Sequence, residues 1–277
     1  MNFLLIFKAV IIGIVEGITE FLPVSSTGHM IIVGNLINFQ DPTYRKAYVD
    51  MFEVVIQLGA ILAIVVLYWE KIKNSLKNLA PGESGFKLWL NIFVAFIPSA
   101  VIGLLLHKTI EEKLFNAGTV AFALVIGGVL MIFMENKYRK GNTIRSIDDV
   151  NVVQAFKIGC FQCLALWPGM SRSASTIIGA WISGLNTVAA AEFSFFLAIP
   201  TMVAASGFSL IKIRLAMNGA EIIGLIVGFI VSFFVALVVV EKFINFLQRK
   251  RMRIFAIYRI LVGVIILILA FKNIIAV

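Results

Sequence analysis

Two carboxylates four residues apart, Glu16 and Glu20, stand in an apolar stretch that runs into Phe21-Leu22-Pro23-Val24-Ser25-Ser26-Thr27-Gly28-His29. On a helix that spacing puts both acids on one face. Charge inside an apolar segment is costly and marks a functional candidate. The pair must bind a cation, share a proton or meet an arginine; the plainer alternative is a wet vestibule lined by acids. His29 follows the hydroxyls of Ser25, Ser26 and Thr27, a setting that suits a general acid or base. The chain's other histidine, His107, lies beside Lys108 and reads as a solvated loop residue.

A second cluster, Trp167-Pro168-Gly169-Met170-Ser171-Arg172-Ser173-Ala174-Ser175-Thr176, carries an arginine in an equally apolar region. The planar guanidinium matches phosphate or carboxylate bidentately. Ser171, Ser173, Ser175 and Thr176 surround Arg172 with hydroxyls, and a helix restarting after Pro168-Gly169 would aim its first amides at the same place. The cluster reads as a phosphate cradle, or as the internal ion-pair partner of Glu16, Glu20, Glu53 or Glu192. Glu53 and Glu192 are expected behind it, orienting Arg172 or the opposite loop.

The elements that position these residues are membrane helices. Six stretches, roughly 52–68, 88–106, 117–134, 190–210, 219–240 and 254–272, are long and apolar enough to span a bilayer, which takes about 20 residues. Two more, 3–40 and 151–187, start as apolar helices and break at the clusters above. Proline unwinds a helix, and unwound backbone at membrane depth survives only inside protein or against water, so both are predicted to be re-entrant hairpins. The loops at 69–87, 135–150 and 241–253 are the rich ones in Lys and Arg, and the positive-inside rule places them in the cytoplasm and both termini outside. Lys8 interrupts the first apolar run and no small-residue cleavage site follows, so this segment is expected to remain in the mature protein.

The halves echo each other. Pro23 and its serines match Pro168 and its serines; Glu53 in FEVVIQLGAILA matches Glu192 in AEFSFFLAIPTM; Phe96-Ile97-Pro98-Ser99 matches Phe229-Ile230-Val231-Ser232. Matching loops fall on opposite sides by charge, so a single membrane domain over 1–277 is predicted, with a first repeat over 1–135 and an inverted second repeat over 151–277. The fold class is thus an all-α polytopic membrane protein: six transmembrane helices plus two re-entrant helical hairpins in an inverted-topology repeat. Such repeats are common in secondary transporters.

Composition supports the class. The chain is 60% hydrophobic and 14% charged, with mean hydropathy +0.99, against roughly 25% charged residues in soluble domains. That excludes a soluble enzyme or a nucleic-acid-binding domain, and the net charge of +9 belongs to membrane orientation and anionic headgroups. Cys160 and Cys163 lack further ligands for zinc and read as ordinary buried thiols. The pairs Gly13/Gly17 and Gly224/Gly228 read as close helix packing.

Glu-Gly-x-Thr-Glu-Phe-Leu-Pro-x-Ser-Ser-Thr-Gly-His at 16–29, with Pro-Gly-x-Ser-Arg-Ser-x-x-Thr at 168–176, resembles the undecaprenyl-diphosphatase (bacitracin-resistance) family. The likeness runs nearly the whole length; one departure is Ala174, where the family often has glycine. The resemblance implies a bacterial inner-membrane phosphatase facing the periplasmic side. It would cut undecaprenyl diphosphate to the monophosphate, recycling the lipid carrier of peptidoglycan synthesis and conferring bacitracin resistance. It also implies a divalent cation, Mg²⁺ or Ca²⁺, and the oxygen-only donors suit one, with Glu16 and Glu20 as metal ligands. A homodimer is a further expectation; no nucleic acid is expected.

On this reading Glu16, Glu20, Ser26, His29 and Arg172 are catalytic, and Ser25, Thr27, Ser171, Arg172, Ser173 and Thr176 bind substrate phosphate. Ser26 attacks phosphorus with His29 as base, or water activated by His29 or a carboxylate attacks directly. The competing class is a transporter or flippase of a polyprenyl phosphate, which would need two compartments to act.

Overall fold

The computed structural model describes residues 3–39, 46–139, 141–212 and 217–272. Over these it forms eleven α-helices: α1 Phe3–Thr19, α2 Ser26–Leu36, α3 Lys46–Leu67, α4 Trp69–Lys77, α5 Ser84–Leu114, α6 Ala117–Tyr138, α7 Val152–Gln162, α8 Arg172–Ile182, α9 Thr187–Lys212, α10 Gly219–Arg249 and α11 Arg253–Phe271. Six of them, α3, α5, α6, α9, α10 and α11, are long and apolar enough to cross a membrane. Each predicted span falls on one of the six, so the chain is an all-α, multi-pass membrane protein.

Three boundaries differ from the sequence reading. Helix α5 continues through most of the expected 107–116 loop, α10 continues to Arg249, and the basic 69–87 segment contains α4. Hydropathy ends where the hydrocarbon ends, whereas backbone hydrogen bonding carries a helix into the headgroup region. At about 1.5 Å per residue, a 31-residue helix is about 46 Å long, well beyond the roughly 30 Å apolar slab. His107 consequently lies within α5, half-buried, its ring edge-on to Phe208 at 5.4 Å. Lys140, in the basic 135–150 loop, lies outside the described residues.

Polarity is distributed as a lipid solvent demands. Phe93, Leu105, Phe122, Phe133, Phe234 and Leu261 face outward, while Glu16 and Arg259 are fully buried. Cys160 corrects an expectation: both thiols are free, but Cys160 is exposed and Cys163 only half-buried. In a soluble protein an apolar context means the interior; in a membrane protein it also means the lipid face.

Helix α1 packs along α10, which also packs on α3, and α11 packs along α6. The α1–α10 approach requires glycine. A Cβ on Gly13 would lie 2.7 Å from the Gly228 carbonyl oxygen, and one on Gly17 would lie 2.7 Å from that of Ser232. The short helices α7 and α8 pack on each other and on α5 and α9 respectively.

The three basic loops meet at one end. Lys71 pairs with Asp148 at 3.1 Å, Lys87 Nζ donates to the Asp148 carbonyl at 2.9 Å, and Arg139 donates to the Lys250 carbonyl at 3.3 Å. They therefore share a side, as the charge count requires.

Candidate active site

Both broken segments restart as 11-residue helices, α2 and α8, by the same local device. Ser25 and Ser171 are the N-caps, with φ of 72° and 69°, a left-handed conformation rarely adopted by non-glycine residues and typical of constrained functional loops. Each cap side chain accepts from the amide three residues on, Gly28 at 3.5 Å and Ala174 at 3.3 Å. Each cap carbonyl accepts from the side chain four residues on, His29 Nδ1 at 2.8 Å and Ser175 Oγ at 2.9 Å. Phe21-Leu22-Pro23-Val24 and Pro168-Gly169-Met170 are thus equivalent loops that bring two helix starts toward each other.

The two loops are tied together. Arg172 Nη2 lies 3.5 Å from Glu20 Oε1, with both side chains more than nine-tenths buried, and Ser173 Oγ donates to the Leu22 carbonyl at 3.0 Å. Arg172 Nη1 donates to the Ser194 carbonyl at 2.9 Å and reaches its hydroxyl at 3.3 Å, and the guanidinium lies 5.7 Å from the Phe21 ring centre. Ser26 Oγ donates to Glu20 Oε2 at 2.9 Å. Glu20 therefore joins a serine hydroxyl on one oxygen to an arginine on the other.

Glu16 is fully buried one turn before Glu20, and neither of its oxygens has a hydrogen-bond partner among the described residues. Glu20, Glu53 and Arg172 are the charged groups it faces. Two orphaned acceptors beside a second carboxylate call for a proton or a hard cation. No group of three or more His, Cys, Asp or Glu side chains converges among the described residues. That donor set fits a Mg²⁺-like ion, which is held by one or two carboxylates and completes its shell with water and substrate phosphate.

Not every predicted residue joins the cluster as expected. Ser26 turns to Glu20, while His29 holds the Ser25 carbonyl through Nδ1 and meets the Tyr258 hydroxyl through Nε2 at 2.8 Å. A carbonyl only accepts, so Nδ1 carries the proton and Nε2 accepts from tyrosine. Glu192 sits with Tyr68, which donates to it at 3.4 Å, and with Lys71, while Ser194 is the residue that steadies Arg172. Glu53 is half-buried on α3, on the Glu16 side.

The hydroxyls of the second loop are engaged within the protein. Ser173 spends its hydrogen on Leu22, so Ser171 is the donor in their 3.0 Å contact. Ser175 donates to Ser171, and Thr176 Oγ1 lies 2.7 Å from Ser194 Oγ. Thr27 is half-buried on the first turn of α2.

Three residues escape the sequence reading: Ser194, Tyr258 and Arg259. Arg259 is fully buried, and its Nη2 donates to the Gly169 and Met170 carbonyls at 2.7 and 2.8 Å. A charge inside a predicted span was a legible signal for it, of the kind that marks Arg172. Nothing local marks Ser194 or Tyr258.

Fold and site together define an integral membrane protein whose buried centre is a serine–carboxylate–arginine chain spanning two loops. Residues 9–265 match the family described as Bacitracin resistance protein BacA, and the chain belongs to that family. It is 61% identical to the undecaprenyl-diphosphatase of Clostridium novyi (strain NT) over 283 residues, covering 99% of both chains. It is 58% identical to the protein of that name from Clostridium tetani (strain Massachusetts / E88) over 275 residues, covering 99% of this chain and all of the relative. The undecaprenyl-diphosphatase of Caldanaerobacter subterraneus subsp. tengcongensis is 53% identical, covering 99% of this chain.

Proposed function

We propose that this protein is a membrane phosphatase that hydrolyses undecaprenyl diphosphate to undecaprenyl phosphate and inorganic phosphate. That reaction returns the lipid carrier of cell-wall synthesis and underlies bacitracin resistance. Full-length relatives carry that name, and the observation that carries the chemistry is the Ser26–Glu20–Arg172 chain.

Ser26 is the nucleophile. Its hydroxyl already points at a carboxylate, the base a serine needs. As the Ser26 oxygen bonds to the terminal phosphorus, its proton passes to Glu20 and the bridging P–O bond breaks, releasing undecaprenyl phosphate. Water then takes the place of the Tyr258 hydroxyl at His29 Nε2, bonds to phosphorus and gives that nitrogen a proton, while the Ser26 oxygen leaves and recovers its proton from Glu20. Arg172, held by Ser194, stabilises charge on the phosphoryl oxygens. The hydroxyls of Ser25, Thr27, Ser171, Ser173 and Thr176 exchange internal partners for phosphate oxygens on binding. Glu16 and Glu20 would hold a divalent cation, Mg²⁺ or Ca²⁺, which when bound neutralises diphosphate charge.

The basic loops joined at one end belong to the cytoplasmic face of a bacterial inner membrane, and the site opens to the periplasmic side. The first and second segments, 1–135 and 151–277, form an inverted repeat, a reading supported by the matching helix starts at Ser25 and Ser171. Bilayer lipid surrounds the outward apolar faces, and a homodimer is the proposed assembly. The test is phosphate release from undecaprenyl diphosphate by purified protein in detergent, beside Arg172→Ala and with chelator. Metal-dependent release lost in the variant is expected; no release by well-folded protein would overturn the proposal.

A further inference from the structure

Two consecutive residues of α11 reach the two broken segments of the site, one at the start of α2 and the other at the loop before α8. Tyr258 donates to His29 Nε2 at 2.8 Å, with the rings stacked at 5.5 Å and 13°. The next residue, Arg259, donates to the carbonyls of Gly169 and Met170, the residues just before Ser171 and Arg172. Adjacent helical residues diverge by about 100°, which is what lets one turn of α11 touch both segments.

The route taken by Arg259 is built for it. A Cβ on Gly127 of α6 would lie 2.6 Å from Nη2 and 2.9 Å from Cζ, so the guanidinium passes over a glycine to reach the loop. Gly169, at φ 98°, in turn lies against the Val120 carbonyl, where a Cβ would come within 2.3 Å. Loop, α6 and Arg259 thus interlock without room for larger side chains. On the other side, His29 has two ring nitrogens and both are held: Nδ1 by its own helix start and Nε2 by Tyr258. Among the described residues, the charged group that faces the imidazole is again Arg259.

We infer that Tyr258 and Arg259 are positioning residues for the phosphatase site. Tyr258 sets the ring orientation and keeps Nε2 of His29 as the unprotonated nitrogen until water replaces it there, and Arg259 sets the loop from which Arg172 projects. The inference rests on the reaction proposed above. Tyr258 acts on a step of chemistry, whereas Arg259 acts on the placement of the phosphate-gripping arginine, so the two substitutions have different signatures.

The experiment uses the full chain in detergent with ring-¹⁵N histidine. With two histidines in the chain, His107→Gln identifies the His29 resonances. Tyr258→Phe keeps the ring and removes the hydroxyl. It should move the unprotonated Nε2 resonance downfield and lower kcat by about tenfold to a hundredfold, the scale of a misplaced reacting group, with KM within about twofold of wild type. Arg259→Lys, which offers one point charge to two carbonyls, should leave the Nε2 resonance in place and raise KM. A Tyr258→Phe protein with the wild-type resonance, or with the shifted resonance and wild-type kcat, would overturn the positioning role. An inactive wild-type protein would instead overturn the phosphatase reading, and the resonance would still report the contact.

Discussion

The Glu20–Arg172 pair joins the two loops by charge, and its energetics can be worked from the structure. The nitrogen and oxygen are 3.5 Å apart, and the side chains retain 9% and 5% of their exposure. With an effective dielectric constant of about 20, two unit charges at that separation attract by about 5 kcal/mol, and desolvation cancels a good part of this. Removing one partner is still expensive, because a buried charge is left behind. Arg172→Ala leaves Glu20 facing Glu16 with the Ser26 hydroxyl as its remaining donor, at an expected cost of about 3–5 kcal/mol. Glu20→Gln leaves Arg172 with the Ser194 oxygens, at about 3 kcal/mol. The double variant removes both charges and should cost about 2 kcal/mol less than the sum, a coupling in the range for residues in contact. Unfolding free energies of the four proteins, from SDS titration of mixed micelles, measure this directly. If the single costs add within about 0.5 kcal/mol, the pair does not couple the loops and the reasoning fails.

Other outcomes follow from the same geometry. Ser26→Ala should lower phosphate release by about a thousandfold or more while leaving the unfolding transition within about 1 kcal/mol of wild type; near-normal turnover in initial-rate assays would exclude Ser26 as nucleophile. Chelator should abolish activity, and Glu16→Gln should raise the Mg²⁺ or Ca²⁺ concentration needed for half-maximal rate by about tenfold or more, read from metal titrations of chelated enzyme. Gly17→Ala places a Cβ 2.7 Å from the Ser232 carbonyl and 2.8 Å from Val235 Cβ, and should destabilise by about 1–3 kcal/mol. Gly207→Ala, where a Cβ meets nothing within 4 Å, should instead stabilise α9 by up to about 1 kcal/mol; SDS titration of the pair checks both signs.

The amino-acid sequence by itself determined the class, the spans and the breaks, and it marked most of the residues on which the proposed chemistry rests. Six apolar runs of bilayer length can hardly be anything but membrane helices, because that solvent leaves the backbone few alternatives. The prolines and hydroxyl clusters marked where α1 and α7 must stop, since the missing amide of proline is a local fact. Charges in apolar surroundings exposed Glu16, Glu20 and Arg172 for the same reason: their cost is legible without a fold. What the tertiary structure decided was pairing. Ser26 stands three residues from His29 and six from Glu20, yet its hydroxyl goes to Glu20, because the left-handed cap at Ser25 swings α2 away from the line of α1. Arg172 takes Ser194 rather than Glu192, two residues apart on α9 and so on different sides of it. His29 finds Tyr258 across 229 positions, a contact set by how α11 crosses α2 and α6. Spacing along one helix limits which side chains share a face; which of them meet is settled by the crossing of helices that the sequence order does not reveal.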